Sequence, residues 1–280
     1  MMRLANRDFE RLSRFIYTEL GIKLPAGKTT MLEGRLSKRL RHLQLESYGD
    51  YCDYLFSQHG RDHEMVHLIN AVTTNKTDFF REPGHFSYLT ETALPQILQQ
   101  GTAERGKLKI WSAGCSSGEE PYTLAMVLSE FCAQQTRARI VPQILATDIS
   151  QRVLEMARLG IYHLDRIAPV PLPLRRKYLL KSRDKHNPVV RVAPPQRNMV
   201  RFGRLNFMDE DFGFDERQDV IFCRNVIIYF DRPTQERLVN KFCRHLQPGG
   251  YLFLGHSESL HGCDVPVTQV APTVYRMVAG

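Results

Sequence analysis

The sequence lacks several features that would place the protein outside the ordinary globular class. No run approaches the roughly 20 apolar residues of a membrane-spanning helix, and Met1 to Glu10 has no apolar signal-peptide core. The six cysteines include no C-x-x-C pair, which argues for reduced thiols and against a disulfide framework or a zinc site. We therefore expect a cytoplasmic protein that neither inserts into a membrane nor binds a metal.

The composition that is present is globular, with an excess of positive charge. Of the 280 residues, 42% are hydrophobic and 24% are charged, which fits one or two packed domains. There are 38 Lys and Arg against 30 Asp and Glu, a formal net charge of +8. Such an excess favours an anionic partner, and nucleic acid, a membrane surface and an acidic protein all qualify.

The first 75 residues show helical periodicity and no strand pattern, so we predict a helical domain over 1–75. One basic cluster lies on its second helix and comprises Arg35, Lys38, Arg39, Arg41 and His42. Arg35, Arg39 and His42 are spaced to share one helix face. The cluster is either a solvated face or a docking surface for an acidic partner. No aromatic residues interleave with these charges, which argues against nucleic acid.

Beyond residue 107, strand patterns alternate with helix patterns. The strand-like runs are 108–112, 143–147, 219–223, 251–255 and 273–278. This alternation predicts βαβ units and a mainly parallel sheet within a second domain over 76–280. Two β-rich runs on either side of Pro194-Pro195 break the alternation, so we expect a small β insertion at 184–202.

The turn after the first strand predicts a ligand site. Gly114 permits a close backbone approach, and Glu119 and Glu120 open the following helix. Two glutamates there would repel a phosphate but suit a cationic, hydroxyl-bearing ligand. S-adenosylmethionine carries an ammonium, a sulfonium and a ribose without phosphate, and it fits. A plain strand-to-helix turn capped by acids is the alternative.

Other polar residues follow later strands. Asp148 either accepts hydrogen bonds from ribose hydroxyls or caps the helix that begins near Ser150. Arg224 and Asn225 either meet a ligand at the carboxyl edge of the sheet or cap neighbouring backbone. Tyr229 is either a core residue or part of the same site.

A polar segment joins the two predicted domains. It runs from Thr73 to Glu82, and its Phe79-Phe80 pair is too apolar for a free linker. We expect this pair to anchor the segment against the sheet domain. Asn75, Thr77 and Arg81 would then be fixed near the sheet edge.

Five motifs, in order, resemble the CheR family of chemotaxis receptor glutamate O-methyltransferases. They are Thr73–Glu82, Trp111–Tyr122, Ala146–Ile149, Ile221–Phe230 and Gly255–Glu258. The resemblance implies an α/β class I methyltransferase fold, Rossmann-like, with a mainly parallel sheet and an antiparallel last strand. It also implies an N-terminal helical domain and a small inserted β-subdomain. The implied reaction moves a methyl group from S-adenosyl-L-methionine to chemoreceptor glutamates and releases S-adenosyl-L-homocysteine.

The resemblance also implies roles for individual residues. Carried over by motif position, the cofactor-binding residues are Asn75, Thr77, Arg81, Gly114, Glu119, Asp148, Asn206, Phe207, Arg224 and Asn225. Position and chemistry make Arg81 and Tyr229 the catalytic candidates: Arg81 would either hold the substrate carboxylate or act through the cofactor, and the Tyr229 hydroxyl would lie beside the transferring methyl.

The implied partner is the cytoplasmic helical domain of chemoreceptors, facing the basic helix Arg35–His42. Some members also dock a C-terminal receptor peptide on the β-subdomain. The insert Asp184–Phe202 lacks the glycine-containing loop expected of such members.

Three rival interpretations remain open from the sequence. A nucleic-acid methyltransferase is compatible with the charge, but Arg224–Ile227 stands where an Asp/Asn-Pro-Pro-Tyr-like run would be expected. A scaffold that binds the cofactor without catalysis is the second rival. A nucleotide-dependent dehydrogenase is the third, and the missing G-x-G-x-x-G run and the Glu119-Glu120 pair argue against it.

Overall fold

A computed structural model describes residues 3–99, 106–135, 140–184 and 186–278. Within residues 3–72 the chain is helical: α1 is Asn6–Leu20, α2 is Thr29–His42, α3 is Tyr48–Phe56, α4 is Gln58–His63 and α5 is Met65–Val72. The apolar stripes of α1 and α2 pack into one core, where Leu12, Ile16 and Leu36 are fully buried. Each such side chain contributes about 1.5–3 kcal/mol, so the predicted helical domain has a core of its own.

An irregular helical stretch leads from the joining segment to the sheet. It comprises α6 (Gly84–Tyr88), a π-helical turn (Leu89–Ala93) and α7 (Leu94–Ile97). Further helices follow among the strands of the sheet domain. They are α8 (Glu119–Gln134), α9 (Gln151–Leu159), α10 (Leu172–Tyr178), α11 (Pro194–Asn198) and α12 (Arg232–Arg244). In the part of the chain that the structure describes, no helix could cross a membrane.

A seven-stranded sheet forms the second domain, in the order β6-β2-β1-β7-β8-β10-β9. Its strands are β1 (Lys107–Ala113), β2 (Val141–Asp148), β6 (Val200–Arg204), β7 (Gln218–Cys223), β8 (Leu246–Leu254), β9 (Val267–Ala271) and β10 (Val274–Met277). The first five in the spatial order are parallel, and β10 pairs antiparallel with both β8 and β9. The predicted mainly parallel sheet with an antiparallel last strand is confirmed.

The central strands are buried on both faces because helices cover both sides of the sheet. In β1, Ile110 packs into one hydrophobic core and Trp111 into the other, and neither side chain is exposed. A strand buried on both faces appears in the sequence as a continuous apolar run. That is why the runs around Ile110 and Ile221 could be recognised from the sequence.

The chain reverses its direction of travel across the sheet between β1 and β7. From β1 it moves outward through β2 to β6, and then returns to β7 on the other side of β1. Open α/β sheets bind ligands beyond the carboxyl ends of the strands at such a switch point. The topology therefore directs attention to the ends of β1, β2 and β7.

The structure contains a small β-subdomain, but the bounds expected for it, 184–202, are wrong. Its first run is β5 (Val189–Val192), the centre of a small antiparallel sheet with β3 (Ile161–His163) and β4 (Leu179–Lys181). Its second run is β6, which pairs in parallel with β2 in the main sheet. Both runs have the same local β character, and only their distant pairing partners separate them. The small sheet therefore spans residues 161–192.

Candidate active site

A cleft opens at the carboxyl edge of the main sheet, between the sheet and the N-terminal helices. It holds about 990 Å³ of space free of protein atoms, its open mouth included. Ten of the residues predicted for the site line this cleft. They are Asn75, Thr77, Arg81, Gly114, Asp148, Asn206, Phe207, Arg224, Asn225 and Tyr229.

The helical domain closes one side of the cleft through direct hydrogen bonds to the sheet domain. The Asn206 side-chain amide donates to the Glu19 carbonyl at 2.8 Å. The Lys23 N–H donates to the Tyr229 carbonyl at 3.0 Å, and the Ser150 hydroxyl lies 2.7 Å from the Asn70 side-chain oxygen. Two predicted site residues, Asn206 and Tyr229, thus depend on the helical domain for their placement.

The turn after β1 brings backbone close to the cleft. The N–H groups of Gly114 and Cys115 both donate to the Thr147 carbonyl, at 2.8 and 2.9 Å. Gly114 has φ +82°, and a Cβ built on it would lie 2.6 Å from Val226 Cγ2. Only glycine meets both conditions, so the close approach that the sequence predicts is required here.

Asp148 lies at the end of β2 and is 8% exposed. One of its carboxylate oxygens accepts from the Ser116 N–H and the other from the Ser150 N–H, both at 2.9 Å. Burial raises the pKa of Asp148, and these N–H donors oppose that rise. The helix cap of α9 is the Ser150 hydroxyl, so Asp148 is not the cap. A third backbone N–H, that of Ile149, also bonds this carboxylate, and a carboxylate with about four acceptor positions can still accept from a hydroxyl in the cleft.

The structure does not bring Glu119 to the cleft; its neighbour Glu120 lines the cleft instead. Glu119 is 1% exposed, accepts from the Ser117 hydroxyl at 2.7 Å and pairs with Arg166. Consecutive helix residues point about 100° apart, so only one of two adjacent glutamates can face the cleft. The sequence shows the pair but not which face of α8 is turned to the ligand.

Arg224 forms the floor of the cleft and ties three segments together. Its Nε donates to Glu120 at 2.8 Å, and its Nη1 donates to the Arg81 carbonyl at 2.7 Å. The guanidinium also lies over the rings of Phe86 and Phe222, 5.1 and 5.6 Å from their centroids. The residue therefore links β7 to α8 and to the joining segment, besides lining the cleft.

The backbone on both sides of Arg81 is strained. Phe80 and Glu82 have φ +53° and +55°, left-handed values that cost non-glycine residues about 1–3 kcal/mol each. The Phe80 N–H donates to the Thr123 hydroxyl at 3.1 Å, and Arg224 holds the Arg81 carbonyl. Such strain persists where the surroundings impose it, and it clusters at functional sites.

Beneath the cleft, Glu82, His85 and His256 bring potential metal-ligand atoms within 4.8 Å of one another. Arg224 Nη1 lies 3.1 Å from His85 Nδ1, and an arginine can only donate. The His85 Nδ1 lone pair is therefore occupied, and its Nε2–H faces the Thr273 hydroxyl at 2.9 Å. Burial, then the Arg224 charge, lowers the pKa of His85 to about 4. A neutral histidine bonded to a guanidinium gives no reason to place a metal here.

The basic cluster on α2 is only partly a free surface. Arg39 makes two hydrogen bonds, at 2.9 and 2.7 Å, to the carboxylate of Glu64, which is 1% exposed. Arg35 donates to the Thr74 hydroxyl at 2.8 Å and to backbone carbonyls at the end of α5. Lys38, Arg41 and His42 are exposed. Arg35 and Arg39 are therefore bound within the protein, and the part of the cluster that is solvated or open to a partner is reduced to Lys38, Arg41 and His42.

Sequence reasoning missed two carboxylates that organise the site. Glu120 belongs to the Glu-Glu pair that opens α8, but the motif position points to Glu119 as the cofactor-binding residue. Glu258 ends the Gly255–Glu258 motif, for which the sequence suggests no role; it is 4% exposed and accepts from the backbone N–H groups of Asn225 and Val226, both at 2.8 Å. The sequence signal that could have pointed to Glu258 was the Gly255–Glu258 motif itself.

The residues of the cleft fit S-adenosylmethionine. Asp148 places a buried carboxylate at the cleft that can accept hydrogen bonds from ribose hydroxyls, whereas Glu120 is already paired with Arg224. Gly114 leaves room that a Cβ would fill. Apolar contact for a purine is available from four lining residues, namely Leu205, Phe207, Val226 and Phe230.

Comparison with known proteins agrees with this fit. Residues 75–275 match the family model described as "CheR methyltransferase, SAM binding domain", and residues 7–73 match "CheR methyltransferase, all-alpha domain". The chemotaxis protein methyltransferase of Borreliella burgdorferi is 40% identical, covering 98% of this chain and 95% of that protein. Chemotaxis protein methyltransferase 2 of Pseudomonas aeruginosa is 38% identical, covering 97% and 93%.

The Escherichia coli chemotaxis protein methyltransferase is 36% identical over 98% of this chain and 92% of its own. Among solved structures, the glycopeptide N-methyltransferase MtfA complexed with sinefungin is similar with a TM-score of 0.38. It is 14% identical, covering 73% of this chain and 72% of that chain. The family models and the curated relatives span both domains, and this chain belongs to the CheR methyltransferase family, with S-adenosylmethionine as its cofactor.

Proposed function

We propose that this protein methylates glutamate side chains of chemoreceptors in the cytoplasm and forms glutamate methyl esters. The main support is the similarity to proteins named chemotaxis protein methyltransferase, at 40% identity over 98% of the chain in one case. That similarity includes the helical domain as well as the cofactor domain. Because the similarity extends over both domains, we expect this protein to share with these relatives the class of protein substrate as well as the cofactor.

The proposed nucleophile needs no activation by a base. A glutamate side chain titrates near 4.3, so at neutral pH its carboxylate is already ionised. S-adenosylmethionine, when bound, supplies a methyl group on a sulfonium. The task of the protein is then to align the carboxylate with that methyl and to keep the two groups in contact.

Two residues at the cleft are proposed for this alignment. Arg81 lies in the strained segment, with its Nη1 held by the Lys76 carbonyl at 3.0 Å; its forked guanidinium can bind both oxygens of a carboxylate. Tyr229 lines the cleft beside Asn225, and Lys23 of the helical domain holds its carbonyl. We assign to its hydroxyl a hydrogen bond near the transferring methyl.

The surface proposed to meet the receptor is the exposed part of the α2 cluster, namely Lys38, Arg41 and His42. Lys38 and Arg41 carry positive charge near the end of α2, with His42 beside them, and such a surface favours approach of an acidic helical partner. Docking of a receptor C-terminal peptide on the small sheet at 161–192 stays a prediction.

The test distinguishes methylation of a receptor from methylation of nucleic acid. The purified protein is incubated with S-adenosylmethionine carrying a heavy-isotope methyl group and a chemoreceptor cytoplasmic fragment. Peptide mass spectrometry then locates the label. We expect labelled glutamates in the receptor helices and none in a fragment whose methylation-region glutamates are replaced by alanine. Label found on RNA or DNA, with none on the receptor, would contradict the proposal.

A further inference from the structure

A single buried carboxylate collects four backbone N–H groups beneath the cleft. One oxygen of Glu258 accepts from Asn225 at 2.8 Å and from Gly255 at 2.6 Å. The other accepts from Val226 at 2.8 Å and from Ile228 at 3.2 Å. Three of these donors belong to the loop that follows β7. That loop carries Asn225, Val226 and Tyr229 into the cleft.

Asn225, the second residue of this loop, is confined from several sides. It has φ +60°, which a non-glycine residue keeps only under constraint. Its side-chain amide lies 3.3 Å from a Glu82 oxygen. A Cβ at Gly255 would come within 2.4 Å of the same amide, so the backbone at 255 packs directly against Asn225. The segment 255–258 thus supports the loop by both packing and hydrogen bonds.

Only the ionised form of Glu258 matches this set of partners. A carboxylate offers acceptor sites on both oxygens, and all four partners are donors. An amide would point its NH2 group at two of the N–H groups, and a carboxylic acid would turn its O–H toward one of them. Glu258 itself is 4% exposed and is not part of the cleft lining, so its influence on a ligand must pass through the loop.

We propose that Glu258 is a positioning residue: its carboxylate fixes the backbone of 225–228 and thereby sets where Asn225 and Tyr229 stand in the cofactor cleft. For catalysis this inference rests on the proposed methyl transfer. For cofactor binding it rests on the geometry of the cleft alone.

The test compares Glu258→Gln with a matched buried carboxylate far from the cleft. Asp219 is 5% exposed and accepts from the Lys109 N–H at 2.8 Å, near the amino end of β7. Asp219→Asn therefore perturbs a bond from a backbone N–H to a buried carboxylate at the amino end of β7. Glu258 makes its bonds to the loop at the carboxyl end of that strand. Calorimetric titration with S-adenosylhomocysteine gives Kd for each variant well below its melting temperature, and thermal unfolding gives stability.

We expect Glu258→Gln to raise Kd for S-adenosylhomocysteine by about tenfold or more, the equivalent of one lost charged hydrogen bond. Asp219→Asn is expected to lower the melting temperature with Kd unchanged. In methyl transfer at saturating cofactor, Glu258→Gln should also lower kcat. A wild-type Kd in Glu258→Gln, together with a melting temperature lowered as in the control, would overturn the inference.

Should Glu258→Gln fail to fold, Glu258→Asp replaces it, because aspartate keeps the charge but is one methylene too short to reach all four donors. A several-fold weaker Kd supports the inference, and a wild-type Kd overturns it. Binding of S-adenosylhomocysteine requires no methyl acceptor. Failure of the receptor assignment would therefore leave this result intact, and wild-type binding in the same titration confirms that the cleft itself is competent.

Discussion

Replacing Arg224 with methionine should destabilise the protein more than its lost contacts alone would suggest. The Arg224 side chain is 2% exposed and lies 2.8 Å from the carboxylate of Glu120 and 3.4 Å from that of Glu82. Methionine would keep the apolar contact with the Phe86 and Phe222 rings. It would leave the two carboxylates, whose side chains are 10% and 11% exposed, without their cation.

The expected magnitude comes from the cost of stranding a buried charge, which is about 3–5 kcal/mol. Arg276→Met is the matched control. Arg276 donates to the Gly249 carbonyl at 3.2 Å and lies 5.6 Å over the Tyr251 ring. Among the described residues it pairs with no carboxylate within 4.0 Å. Its loss should cost about 1 kcal/mol. The difference of about 2–4 kcal/mol corresponds to roughly 5–15 °C in Tm.

The effect should depend on pH in a defined direction. Burial alone would raise the pKa of Glu82, but the His256 N–H and the Arg224 charge hold it below its usual value. A lowered carboxyl pKa stabilises the fold above the unfolded-state pKa, and this contribution disappears as pH falls through the folded-state pKa. Without Arg224 the Glu82 pKa rises. The stability gap between wild type and Arg224→Met should therefore be largest at neutral pH and narrow at acidic pH.

Scanning calorimetry of wild type, Arg224→Met and Arg276→Met at neutral and at acidic pH measures both effects. Two results would refute the reasoning. One is an Arg224→Met protein whose Tm at neutral pH equals that of Arg276→Met. The other is a gap between wild type and Arg224→Met that does not change as the pH is lowered.

Four further changes test the site and the receptor surface. Asp148→Asn should weaken S-adenosylmethionine binding by about tenfold or more in calorimetric titration, because the amide loses acceptors and opposes a backbone N–H; an unchanged Kd contradicts this. Arg81→Ala should slow methyl transfer to a receptor fragment, and unchanged turnover rejects its role in holding the carboxylate. Tyr229→Phe should lower kcat with Kd for S-adenosylhomocysteine unchanged, and full activity rejects the hydroxyl's role. The double variant Lys38→Glu, Arg41→Glu should raise KM for the receptor at low salt and leave cofactor binding intact; a wild-type KM argues for another docking surface.

Much of the architecture could be predicted because it depends on burial, which leaves a periodic signal. The apolar stripe of α1 that ends at Leu20 indicates which face of the helix is buried, and the apolar run around Ile221 indicates a strand buried on both faces. Both elements lie where the sequence predicts them. Residues at the carboxyl ends of parallel strands meet by topology. Gly114, Asp148 and Arg224 could therefore be assigned to one site from the sequence alone.

What could not be predicted depends on pairing between distant residues. The run at Val200–Arg204 and the run at Val189–Val192 look alike locally, yet they join different sheets. Strands of three residues, such as Ile161–His163, are too short to show a period. β9 (Val267–Ala271) alternates little and was also missed.

Charged side chains were the hardest to place, because a charge in the sequence does not show its partner. Arg39 belongs to a cluster that suggests an outer surface, yet it is bound to a buried glutamate 25 residues away. Glu119 and Glu120 differ only in which side of α8 they occupy. In the described part of the structure, hydrogen bonds join Glu258 to backbone N–H groups, and no pattern of side chains could have indicated them.

The chemical form of the transferred methyl group tests the central claim most directly. A receptor fragment methylated by this protein from radiolabelled S-adenosylmethionine is treated with mild alkali, and volatile methanol is counted. Our account predicts release of essentially all the label, because a carboxylate nucleophile yields an ester that hydroxide hydrolyses. Label that stays on the receptor through this treatment would indicate methylation at nitrogen and would contradict the account.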